Sequence, residues 1–162
     1  MGCLIAYYLG HHGLSSVIIE RDAIASQASG SAPALLGVPQ GEATTTNPVT
    51  QMILHSLHLH RELREPLQEE SSIDYQFAET PVLHPAFTEN EEINLRAEFN
   101  WQQERGLRVS WLDGDILQKM STWLPDTVRC AIYSEEEAQI ESYALTIAAT
   151  QAAEKLGATE QA

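Results

Sequence analysis

Met1-Gly2-Cys3-Leu4-Ile5-Ala6-Tyr7-Tyr8-Leu9-Gly10-His11-His12-Gly13 runs through Leu14 and Ser15 into Ser16-Val17-Ile18-Ile19-Glu20-Arg21-Asp22. Leu4, Ile5, Tyr8 and Leu9 recur at helical spacing, so a helix is expected over residues 2–12, closed by Gly13. Val17-Ile18-Ile19 is uniformly apolar, which predicts a short strand buried on both faces of a parallel sheet. Glu20 then sets a carboxylate at the strand's carboxyl end. Helix, strand and acidic residue in this order read as the second half of a dinucleotide-binding βαβ unit. There, a glycine at the helix start lets a pyrophosphate reach the N-terminus, and a carboxylate roughly 20 residues on accepts hydrogen bonds from a ribose. Gly2 and Glu20 stand at that spacing, while the preceding strand and the first two glycines of G-x-G-x-x-G are not among the 162 residues.

Further along, residues 23–37 are rich in Ala, Ser and Gly and carry no charge, with no large side chain between Ile24 and Leu35. Composition alone reads this as a flexible linker. A backbone-rich loop packed against a ligand, where bulky residues would not fit, is the other reading. Asn47-Pro48 predicts a helix start with Asn as N-cap, and Val49, Met52, Ile53, Leu57, Leu63 and Leu67 mark its apolar stripe. Short strands are expected at 75–77 and 81–84. Thr88-Glu89-Asn90-Glu91 has the form of a capping box, opening a helix that Gly106 closes. A strand at 108–111, a short helix capped by Asp113 and ending near Pro125, and a strand at 128–133 follow. Ser142 is expected to cap the last helix, with Gly157 beyond its end.

Lys and Arg number 9 against 23 Asp and Glu, a formal charge of -14. Such a surface repels phosphate backbones and anionic lipid, so nucleic acid and membrane are disfavoured partners. No stretch approaches the roughly 20 apolar residues of a membrane-spanning helix. No basic region precedes the apolar N-terminal run, so no signal peptide is expected. Cys3 and Cys130 form neither a C-x-x-C pair nor a disulfide framework, which suits a reducing, cytoplasmic compartment.

With these pieces in order, the chain resembles the FAD-dependent D-amino-acid oxidase, glycine oxidase and sarcosine oxidase superfamily along nearly its whole length. The resemblance rests on Met1-Gly2 and the Ala6-Tyr7-Tyr8-Leu9 helix, on Glu20-Arg21, on Ala28-Ser29-Gly30 with Ala34-Leu35-Leu36, and on Thr80-Pro81-Val82-Leu83. It continues through Gly106-Leu107, Trp111-Leu112-Asp113 and the Glu141-Ser142-Tyr143 helix to Leu156-Gly157-Ala158. It implies an α/β fold: a partial Rossmann-like FAD-binding domain, discontinuous over 1–70 and 141–162, with 71–140 forming part of an α+β substrate domain. The chain would be an N-terminal fragment of an oxidoreductase that oxidises the C–N bond of an amino acid or amine by hydride transfer to flavin, and inactive by itself.

Residue by residue, the resemblance sets Gly2 at the helix N-terminus facing the FAD pyrophosphate. Glu20 falls on the adenosine ribose and Arg21 beside the adenine. Ala28 and Ser29 follow the pyrophosphate and ribityl chain, and Ala34 and Leu35 line the isoalloxazine. Pro33 and Ala34 depart from the family's glycine-rich pattern. The resemblance assigns no catalytic residue within the 162. Two alternatives stand beside it: the FAD-dependent oxidoreductase of tRNA wobble-uridine modification, against which the acidic charge counts, and a non-catalytic truncated remnant that binds FAD weakly or not at all.

Other constellations have plainer explanations. His55, His58 and His60 share a helix, but no further ligand stands at metal spacing, so solvent-facing histidines and no metal are expected. His11-His12 reads as a polar helix end beside the C-terminal dipole. Glu135-Glu136-Glu137 reads as a charged loop, and Trp101, Trp111 and Trp123 as core. Nothing like G-x-S-x-G surrounds Ser26, Ser29 or Ser31, which excludes a hydrolase nucleophile.

Overall fold

The computed structural model describes residues 1–38, 48–120 and 123–161. In chain order the elements are α1 (Gly2–His11), β1 (Val17–Ile19), β2 (Leu35–Leu36), α2 (Pro48–Ser71), β3 (Ala78–Glu79), β4 (Val82–Ala86), α3 (Glu89–Glu104), β5 (Val109–Asp113), α4 (Gly114–Met120), β6 (Cys130–Ser134), β7 (Ala138–Gln139), α5 (Ser142–Lys155) and β8 (Thr159–Gln161). The strands pair as β1-β8, β2-β7-β3 and β4-β6-β5. Two compact units result. One holds residues 1–35, 58–78 and 139–162, the other 36–57 and 79–138. The fold is α/β, as the sequence implies. Asn47, the expected cap of α2, lies outside the described residues.

In the first unit β1 and β8 run parallel, with Val17 opposite Thr159 and Ile19 opposite Gln161. Ser16 O accepts Thr159 N, and Gln161 O accepts Glu20 N, each at 3.0 Å, extending the ladder at both ends. Helix α1 packs on α5. Cys3, Ala6 and Tyr7 are the buried residues of α1, and α5 buries Leu145, Ala148, Ala149, Ala152 and Ala153 among others. The run of alanines lets the helices approach until Gly10 meets Leu156: a Cβ at Gly10 would stand 2.5 Å from Leu156 Cβ. Both helices precede their strands, which places them against the parallel pair in the manner of crossover connections.

The expectation that β1 is buried on both faces is not met. Ile18 is 9% exposed, but Val17 is 52% and Ile19 81% exposed. Period-two alternation turns Ile18 toward the helices and its neighbours the other way. Among the described residues, nothing layers over that second side.

The second unit is an antiparallel sheet whose register sets His84, Ile132 and Trp111 in one row and Pro85, Ala131 and Leu112 in the next. Alternation gives it two faces. Phe99 of α3 lies 5.7 Å from the Trp111 ring. On the other face, Leu117 of α4 buries with Leu112 and Ala131. The capping box forms as read: Thr88 Oγ1 accepts Glu91 N at 3.2 Å and Glu91 Oε2 accepts Thr88 N at 2.9 Å.

Two local expectations are corrected. Residues 75–77 form no strand, because Asp74 Oδ1 accepts Gln76 N at 2.8 Å and Gln76 turns to φ 56, so the strand starts at Ala78. Asp113 ends β5, accepts Trp111 Nε1 at 3.1 Å and directly precedes α4, the short helix expected after it, which is described over Gly114–Met120. Glu141, not Ser142, is the N-cap of α5, accepting Tyr143 N and Ala144 N, while Ser142 Oγ donates to Ala32 O at 3.1 Å. No helix among the described residues is long and apolar enough to cross a membrane.

Candidate functional site

The expected cofactor residues lie in the first unit, within residues 1–35. Helix α1 is joined to β1 by residues 12–16, the order in which a βαβ unit sets the helix start and the strand's carboxyl end at one edge of the sheet. Met1 is the N-cap of α1 and supplies no side-chain cap, and its carbonyl accepts Ile5 N at 3.1 Å. The N–H groups ahead of Ile5 therefore have no intrahelical acceptor and, with the helix dipole behind them, form a donor set for an anion. Gly2 leaves the approach open, since a Cβ there would meet nothing within 4 Å.

Glu20 directly follows β1 and is half-buried. Its Oε1 accepts Asp22 N at 3.2 Å, which fixes the side chain at the strand's carboxyl end. Arg21 is drawn elsewhere. Its Nε and terminal nitrogen donate to Asp22 Oδ2 at 3.3 and 3.1 Å, and the same oxygen accepts Gln27 Nε2 at 3.4 Å. The pair is well exposed, so it holds the guanidinium only loosely.

The Ala-Ser-Gly stretch is built from successive tight turns. Ala23 O accepts Ser26 N at 3.0 Å, and Gln27 O accepts Gly30 N at 3.1 Å and Ser31 N at 3.2 Å. Ala28 and Ser29 sit exposed on this loop. Ala25 and Ala34 both adopt φ 61, a conformation that costs an alanine roughly 1–2 kcal/mol. Ala34 O accepts Ile140 N at 3.0 Å, and Leu35 begins β2 with its side chain 74% exposed. Ala34→Gly relieves the strain and gives part of it back as unfolded-state entropy, so a net gain of about 0.5 kcal/mol is expected in denaturant titration.

These groups fit the adenosine-diphosphate half of FAD in their chemistry. Uncapped N–H donors match a pyrophosphate, and an anchored, half-buried carboxylate at a strand's carboxyl end matches vicinal ribose hydroxyls.

The remaining polar clusters are structural. His55 and His58 are exposed, and His58 pairs with Glu62 at 3.1 Å. His60 departs from the solvent-facing expectation: it is half-buried, and burial lowers its pKa. No group of three His, Cys, Asp or Glu residues is placed to hold a metal among the described residues. His11 Nε2 donates to Glu70 Oε2 at 3.1 Å and its ring meets Tyr7 edge-on at 4.6 Å. The Tyr75 hydroxyl is buried with no hydrogen-bond partner among the described residues, and that burial pushes its pKa up to about 12.

Glu135–Glu137 is not simply a charged loop. Glu136 is 6% exposed and its Oε1 accepts both Arg108 N at 2.8 Å and Arg108 Nε at 3.1 Å. Glu137 is paired with His84. Of the tryptophans, Trp111 lies half-buried under the Arg96 guanidinium at 3.4 Å, whereas Trp123 is 74% exposed and packs into no core.

Residues 1–160 match the family described as DAO, FAD dependent oxidoreductase. A glycine oxidase of Geobacillus kaustophilus (strain HTA426) is 28% identical over 159 residues, covering 98% of this chain and 42% of that protein. The crystal structure of glycine oxidase from Geobacillus kaustophilus superposes with a TM-score of 0.86 at 28% identity, covering 99% of this chain and 43% of that one. Glycine oxidase from Bacillus cereus ATCC 14579 gives a TM-score of 0.82 at 26% identity, covering 98% and 42%. The chain thus spans about two fifths of the length of the relatives it matches.

Proposed function

The chain belongs to the family of FAD dependent oxidoreductases, and from that membership we propose that it supplies the adenosine-diphosphate cradle of an enzyme oxidising an amino acid or amine at its C–N bond. FAD, the family's cofactor, would when bound supply the hydride acceptor for oxidation at the carbon bearing the amine. This chain's own residues bind and orient. Gly2 and the N–H groups of α1 face the pyrophosphate, and Glu20 accepts from the ribose hydroxyls. Arg21 flanks the adenine once it leaves Asp22. Ala28 and Ser29 run along the pyrophosphate and ribityl chain, and Ala34 and Leu35 border the isoalloxazine. Residues 1–70 and 141–162 carry the FAD side of the reading and 71–140 the substrate side. The two cysteines, both free and buried, suit a cytoplasmic setting.

The observation that carries this reading is the pairing of an uncapped helix start with an anchored carboxylate at one end of a parallel strand pair. Titration of the 162-residue chain with FAD, followed by flavin fluorescence, tests it. Weak but saturable binding is expected, since the first two glycines of the phosphate turn are not among the 162 residues. Glu20→Gln, which keeps the shape and removes the charge, should weaken binding by about 1.4 kcal/mol, or roughly tenfold. Equal affinity in the two proteins would remove the ribose role. Anaerobic bleaching of the flavin by glycine, sarcosine or D-amino acids in a polypeptide of the relatives' full length tests the C–N chemistry.

A further inference from the structure

Glu137 is the last of three consecutive glutamates, yet its side chain is only 13% exposed. His84, 15% exposed, donates from Nε2 to Glu137 Oε1 at 2.6 Å. The main-chain oxygen of Glu137 accepts Thr80 N at 2.9 Å. Oε2, the second carboxylate oxygen, faces Gly37, and a Cβ on that glycine would stand 3.2 Å from it. Gly37 does not adopt a positive φ, so its backbone does not demand a glycine. The carboxylate occupies the place a side chain would take.

A nearly buried histidine–carboxylate pair recovers its desolvation cost only with good geometry, and apolar replacements of the same volume are often as stable. Bulk stability therefore gives little reason for this pair. Its placement gives a better one. Glu137 immediately precedes β7, β7 pairs with β2, and Gly37 immediately follows β2. The short β2-β7 ladder has only two residues in each strand, too little to fix the chain beyond it. A carboxylate pinned by His84 and pressed on Gly37 supplies the missing constraint.

We propose that Glu137, oriented by His84, is a positioning residue that fixes the backbone at Gly37 and hence the course of the chain after Leu35. Its consequence for the cofactor rests on the assignment of Leu35 to the isoalloxazine. Glu137 does not act as an acid or base in this role. What it contributes is a buried side chain of defined shape with an oxygen that accepts from His84, so the amide isostere should preserve most of the effect and truncation should abolish it.

Hydrogen exchange resolved by residue in the 162-residue chain tests the placement directly. In Glu137→Ala the amides of Gly37 and Val38 should exchange about tenfold faster, corresponding to about 1.4 kcal/mol of lost local protection, with the β4-β6-β5 ladder unchanged. Glu137→Gln should stay near the wild type. Unchanged exchange at Gly37 and Val38 would overturn the proposal, and so would an acceleration spread evenly over residues 79–138, which marks a merely structural residue. Should Glu137→Ala fail to fold, Gly37→Ala takes its place: its methyl displaces the carboxylate and should speed exchange at Val38, and no change there overturns the proposal equally. FAD titration of the same variants reads the consequence, with about tenfold weaker binding and an altered flavin absorbance envelope in Glu137→Ala. A wild-type chain that takes up no FAD would remove the cofactor assignment, and the exchange result would still decide whether Glu137 places Gly37.

Discussion

Gly30→Ala is expected to lower the midpoint of thermal unfolding by about 6–12 °C, the equivalent of about 3 kcal/mol in a chain of this size. The added methyl would stand 2.0 Å from Ala25 O and 3.1 Å from Ala25 C, both backbone atoms, and 3.2 Å from Tyr143 Cδ2. An obstructing side chain can swing aside, but a carbonyl fixed in a turn moves only if the turn is rebuilt. The residue it would push on, Ala25, already lies in the left-handed region at φ 61, so the loop has little freedom to absorb the shift. Gly30 thus determines the shape of the segment that carries Ala28 and Ser29. Calorimetry of the variant beside the wild type reads the effect, and an unchanged midpoint would show that the turns from Ala23 to Ser31 are not held as described.

Gly10→Val comes second, with an expected loss of about 2 kcal/mol, or about 4–8 °C. Here the obstacle is Leu156 Cβ at 2.5 Å, an atom fixed to the backbone just beyond the end of α5. Valine has the better helix propensity, so a destabilised variant would isolate the packing effect. Leu156→Ala removes the more flexible Leu156 atoms at 3.2 and 3.4 Å but keeps Cβ, so it should restore only part of the loss. A double-mutant cycle with a coupling of about 1 kcal/mol is expected, and strict additivity would mean that the two helices do not meet at this point.

Features that depend on a few neighbouring residues were legible in the sequence. Thr88 and Glu91 cap each other as read, because both hydrogen bonds close within three residues. Gly106 and Gly157 end their helices with φ 72 and 99, where a side chain is strained. The helix–strand–carboxylate order at residues 2–20 could be read for the same reason. Legibility failed where two local options competed or where the partner is far away in sequence. Glu141 and Ser142 are both competent caps, and only the position of Ala32 O decides which hydroxyl or carboxylate is free for the helix. Arg21 could be placed next to Glu20, but the sequence did not reveal that Asp22 would take its guanidinium. His84 and Glu137 are 53 residues apart, and nothing in either neighbourhood marks one as the other's partner. Burial of β1 failed for a third reason: apolar content says that a strand can be covered on both sides, not that something covers it.

That bare side of β1 has a bearing on how the polypeptide behaves as a solute. Val17 and Ile19 form an apolar patch that nothing covers among the described residues, which is an invitation to self-association. The opposing influence is the excess of fourteen negative charges, which makes copies repel one another at long range. Ions shorten that reach to about 8 Å at physiological strength. Added electrolyte therefore does more than mask a surface here: it shifts the contest between an adhesive patch and the like charge that keeps molecules apart.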